Sequence, residues 1–199
     1  MLQGIENHLR QREVRRDELH ERARQLRRLA QSVMIRIHEG RSFDAELADV
    51  RRRTTELTTW LDHEGRGDRG LAHDALQESV EASLLAAVVQ AQSLPGPEEL
   101  TVEPEVYLLG LGDLVGEVRR LALDRLAKGD SPGARRYVTL MESLFHALLR
   151  FDTTRAIVAL KPKQDTARAL LERTRGEVTM AEVMGRSAAS ARATEGTRS

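Results

Sequence analysis

The chain of 199 residues contains no cysteine. That excludes a disulfide framework and any thiolate-bound metal. Aromatic residues make up only 3%, which leaves few rings on which nucleic-acid bases could stack. Charge of neither sign prevails, because 31 basic and 31 acidic residues cancel; no global field marks the chain as a polyanion binder. No apolar run approaches the roughly 20 residues needed to span a bilayer, and the N-terminus lacks a signal-peptide core. A soluble, cytoplasmic protein with no membrane attachment is expected.

What is present points to helices. Hydrophobic residues make up 40% and charged residues 31%, with Leu, Ala, Glu and Arg prominent, and this is the composition of an all-α domain. No β-alternation of useful length and no internal repeat occurs. Only three of the basic residues are lysine (Lys128, Lys161 and Lys163). Arginines crowd the first segment, from Arg10 to Arg28. Arginine suits bidentate phosphate contacts better than lysine, although a codon bias towards arginine accounts for the same excess.

Apolar periodicity places the helices. A stripe at Leu19, Ala23, Leu26, Ala30, Val33 and Ile37 predicts a first helix over 5–39. Leu47, Val50, Thr54, Leu57 and Leu61 predict a second over about 43–63, ended by the turn cluster 64–70. A third is expected over about 71–93. Pro95, Pro97 and Pro104 bracket the longest connection, and Pro104 opens a fourth helix running to about Ala127. Ser131 and Pro132 read as N-cap and first turn of a fifth, with Val138, Met141, Phe145 and Leu148 inward. A sixth follows Pro162, and a short seventh is expected near 178–184. The chain therefore reads as a single domain over 1–186, with a polar tail at 187–199 expected to be disordered.

Two pairs of carboxylates stand out. Glu78 and Glu81 share one face of the third helix, and Asp113 and Glu117 share one face of the fourth. Both segments are otherwise rich in Leu, Val, Ala and Gly. Acids placed against neighbouring helices are costly unless something positive compensates them. An oxygen-ligated divalent ion, Mg²⁺ or Mn²⁺, is the simplest candidate. A solvated acidic face is the plainer reading of each pair taken alone. Gly110, Gly112 and Gly116 surround the second pair at a cost of roughly 1 kcal/mol each relative to alanine, which suggests close approach by a helix or ligand. Arg119 and Arg120 could neutralise Glu117. No Glu-x-x-His, His-Glu-x-x-His, Walker loop, dinucleotide glycine motif or hydrolase elbow is present. With Mg²⁺ the expected reaction is hydrolysis at phosphorus.

The segment Thr101 to Arg120, Thr-Val-Glu-Pro-Glu-Val-Tyr-Leu-Leu-Gly-Leu-Gly-Asp-Leu-Val-Gly-Glu-Val-Arg-Arg, resembles the signature of the translin family. It is most similar to the nuclease-type, factor X branch and its archaeal relatives. Gly129-Asp130, the stretch from Leu160 to Asp165 with its continuation, and Arg16-Asp17 with Arg24 also resemble that family. The similarity spans about residues 10–186, and Tyr107 to Arg120 is its most specific part.

The resemblance implies a bundle of about seven helices that assembles into a closed, roughly octameric shell. It implies binding of single-stranded RNA or DNA, by a homo-oligomer or together with a second translin-like subunit. In the factor X type, interior carboxylates bind Mg²⁺ and cut RNA. This carries over to Glu78, Glu81, Asp113 and Glu117 as metal-binding and catalytic residues, with Arg16, Arg24 and Arg120 expected to hold phosphates. The chain departs from the pattern by lacking a long insertion before the Tyr-Leu-Leu-Gly block. It also has Gly112 where alanine is usual, expected to be harmless, and Val115 where threonine is usual, expected to remove a hydroxyl near the site. Two other readings compete with a metal-dependent endoribonuclease: a non-catalytic shell that only binds single strands, and an all-α nucleoside triphosphate pyrophosphohydrolase. The latter expects Glu-x-x-Asp where this chain has Asp-x-x-x-Glu.

Overall fold

A computed structural model describes residues 2–64, 69–151 and 158–196, except for the side chains of 64 and 188–196. The protein is all-α. Its helices are α1 (Leu2–His38), α2 (Asp44–Glu64), α3 (His73–Val89), α4 (Pro104–Ala127), α5 (Ser131–Leu149) and α6 (Lys161–Gly196). A single 3₁₀ turn, Arg69–Leu71, leads into α3. The expected turn cluster at 64–70 lies largely outside the described residues. Among the described residues, no helix is long and apolar enough to cross a membrane.

The chain divides into two compact units, Met1–Leu111 and Gly112–Ser199, with the division falling inside α4. In the first unit α1, α2 and α3 pack on one another. The predicted stripe of α1 is the buried one, from Leu19 to Ile37, and Leu47, Val50, Thr54, Leu57 and Leu61 of α2 are all buried. α3 is covered on nearly every side, and Val80, Ala82, Leu84, Leu85, Ala86 and Ala87 are all at most 2% exposed. A helix apolar all round belongs in an interior. In the second unit α5 packs along α6, with Val138, Met141, Leu144 and Leu148 buried on one helix and Ala167, Leu171 and Val178 on the other.

Three helix ends share one device. After α1, Gly40 N donates to Ile37 O and Arg41 N to Arg36 O, with Gly40 at φ +67°. After α4, Gly129 repeats the pattern at φ +74°, with bonds to Leu126 O and from Asp130 N to Arg125 O. After α3 the same pair of bonds runs to Val88 O and Ala87 O, but the left-handed residue is Ala91, at φ +54°. These are paired closing bonds that glycine ordinarily serves. With alanine in that place, the expected end at Ser93 moves back to Val89.

Two further expectations are refined. The N-cap of α5 is Asp130, whose carboxylate accepts from Gly133 N at 2.8 Å, one residue before the expected Ser131. The sixth and seventh helices are one, because α6 runs unbroken through 178–184. Its backbone stays helical to Gly196, well into the stretch expected to be a tail.

Candidate functional site

In the first unit, α3 presents Glu78 and Glu81 half-buried, one turn apart. The buried Ser79 and Val80 between them fix the rotation of the helix, and Ser79 Oγ donates to Leu76 O at 2.7 Å. The first turns of α4 press against this stretch at Gly110. A Cβ there would lie 2.7 Å from Val80 Cγ1 and 3.0 Å from Gln77 O, so the glycine is what permits the approach. Glu78 is engaged by α1: Arg27 Nε lies 2.7 Å from its Oε1, and Gln31 Nε2 donates to Oε2 at 3.0 Å. Burial pushes the nearby Tyr107 hydroxyl above its ordinary value, and the charge on Glu99 adds to the shift.

In the second unit, α4 presents Asp113 and Glu117, also half-buried. Lys163, from the first turn of α6, donates from Nζ to Asp113 Oδ1. The stem of that lysine lies directly against Gly112, where a Cβ would meet Lys163 Cβ at 2.8 Å and Cγ at 3.1 Å. A Cβ at this position would crowd the lysine stem, so glycine suits this chain where alanine is usual. Val115 is fully buried and two residues from Asp113, so it points off the acidic face. A threonine hydroxyl there would enter the core and not the site.

Arg119, one of the two arginines expected near Glu117, reaches α6, donating to Glu177 at 2.8 and 3.1 Å and to Thr174 Oγ1 at 2.5 Å. This bidentate contact holds the Glu177 carboxyl below the usual carboxylate range, against the opposing effect of burial. Arg135 does the same for Glu182 further along α6. Arg16, Arg24 and Arg120 are all exposed. Arg24 is held by Glu21 of its own helix at 3.0 Å.

The donor chemistry fits Mg²⁺ or Mn²⁺, since the four acids offer only hard oxygen ligands. In this structure Glu78 and Asp113 are nevertheless each compensated by a basic side chain. Among the described residues no group of three or more His, Asp or Glu side chains stands ready to hold a metal ion. Arg27, Gln31 and Lys163 were missed as partners of the acids because they lie 51, 47 and 50 residues away in the chain. Helical spacing reports only neighbours on the same helix.

Each unit of this all-α fold thus presents one pair of half-buried acids on a helix. The Translin family model matches residues 5–175, and the chain belongs to that family. An uncharacterised protein of Methanocaldococcus jannaschii is 28% identical over 179 residues, covering 86% of this chain and 78% of that protein. Among solved structures, AfC3PO is 29% identical with a TM-score of 0.83, covering 92% of this chain and 97% of that one. A complex of AfC3PO with duplex RNA gives 28% and 0.82, with coverage of 92% and 97%. NeC3PO without ligand, at 23% identity and TM-score 0.83 over 90% and 96% of the two chains, shows the same fold.

Proposed function

We propose that this protein is a Mg²⁺-dependent endoribonuclease of the translin type, acting on single-stranded RNA as a cytoplasmic homo-oligomeric, octamer-like shell. The observation that carries the reading is the presence of all four acids, Glu78, Glu81, Asp113 and Glu117, within the region matched by the family. Their half-burial on two helices supports it, as does the 28% identical AfC3PO neighbour solved with duplex RNA. Lack of cysteine suits a reducing cytoplasm.

In this reading the four carboxylates hold one or more divalent ions. A bound ion supplies polarisation of a phosphoryl oxygen and neutralises charge developing on it. The protein's own part is to position: Arg16, Arg24 and Arg120 hold phosphates, which fixes the strand without reading its sequence. A carboxylate not fully used as ligand orients the attacking water.

The test is single-turnover cleavage of labelled single-stranded and duplex RNA with Mg²⁺, comparing wild type with Glu78→Ala plus Asp113→Ala. The double variant is expected to lose cleavage, and undiminished cutting sinks the assignment. A second reading, a shell that binds without cutting, is favoured by the bases already seated on Glu78 and Asp113. RNA binding that survives EDTA, with no cleavage at any metal concentration, selects it.

A further inference from the structure

Lys163 is unusual among the lysines of this chain. Lys161, two residues earlier, pairs with Asp165 of its own helix at 2.8 Å, and both side chains are about half exposed. Lys163 instead reaches back to Asp113, and that pair is far more enclosed, with 29% and 27% of the side chains exposed. It does so from the first turn of α6, where the helix dipole disfavours a positive charge and where no acidic residue balances it.

Two features build the contact. Gly112 removes the one atom that would collide with the lysine stem, so Cβ, Cγ and Cδ of Lys163 run along bare backbone next to Asp113. Gln164, only 2% exposed, donates to Leu148 O at 2.9 Å and pins the start of α6 against α5. The ammonium is thus delivered by fixed backbone and not by a wandering surface chain.

Resting on the metal reading above, we propose that Lys163 is the resident counter-ion of Asp113. It compensates the carboxylate in the metal-free protein and competes with the divalent cation for it. The lysine is a positioning residue whose effect is on cation affinity. An enclosed acid on α4 keeps a positive partner whether or not a metal is present, and the ion must displace an ammonium to bind.

The experiment measures Mn²⁺ binding to the full chain by electron paramagnetic resonance of the free ion, at low ionic strength and without RNA. Wild type is compared with Lys163→Met, Lys163→Gln and Lys163→Arg, each verified as folded by circular dichroism. Loss of the competitor is expected to tighten Mn²⁺ binding about two- to fivefold in the Met and Gln variants. The Arg variant should bind as wild type does, and the gain should shrink as salt is added. Equal or weaker Mn²⁺ binding in both neutral variants overturns this inference alone. Absence of Mn²⁺ binding in the wild type and in every variant overturns the metal reading and this inference with it. Gln serves as the second neutral side chain should Met fail to fold.

Discussion

Alanine at Gly112 and at Gly116 is the same substitution, made twice in one helix, one turn apart. Each should gain about 1 kcal/mol of helix propensity. Their surroundings differ sharply. At Gly116 the new Cβ meets only Leu170 Cδ1, at 3.9 Å, which is ordinary contact. At Gly112 it meets Lys163 Cβ at 2.8 Å and Cγ at 3.1 Å. The first of these atoms cannot swing away, because it is attached to the backbone of α6. Overpacking of this kind costs about 1–3 kcal/mol. Gly116→Ala is therefore expected to stabilise by up to about 1 kcal/mol, and Gly112→Ala to be neutral or destabilising by up to about 2 kcal/mol. The gap of about 1–3 kcal/mol isolates the lysine contact, because propensity cancels between the two variants. Urea titration followed by circular dichroism at 222 nm measures it. A Gly112→Ala protein as stable as Gly116→Ala would refute the packing of Lys163 on α4.

Asp130→Ala removes the cap of α5 and should cost about 0.5–2 kcal/mol, read from the same urea midpoint; Asp130→Asn should recover most of it. The Arg119–Glu177 contact predicts a pH dependence. Because the folded carboxyl lies below its usual value, its contribution is present above the ordinary carboxylate range and is lost as pH falls through the lowered value. Arg119→Met should flatten that acid-side fall when urea midpoints are measured between about pH 6 and 3, and an unchanged slope would show that the contact does not govern it.

The helices were legible because each buries one stripe. The α1 residues from Leu19 to Ile37 repeat at steps of four and three, and the same residues are buried. The ends were less legible. Ala91 adopts a conformation that sequence reserves for glycine, and Asp130 competes with Ser131 for one cap, a choice settled by which oxygen reaches Gly133 N. The continuity of α6 was hidden because Gly176, inside a helical pattern, reads as a break. The acids could be found by spacing along their own helices. The bases on Glu78 and Asp113 could not, since each arrives from another helix. Gly112 shows the same gap: its cost was readable, but the neighbour that exploits it was not.

The first turns of α1 stand apart from everything above. Every residue from Leu2 to Glu18 is exposed, Leu2, Ile5, Leu9 and Val14 included, and burial begins only at Leu19. A free helix of that length in water is limited by its costly nucleus. Here the packed part of α1 supplies the nucleus, and the exposed part has only to propagate from it, helped by exposed ion pairs such as Arg10–Glu6. The stretch should therefore unzip from its tip. Amide exchange should be slowest around Leu26 and quicken turn by turn towards Leu2, a graded clock written along a single helix.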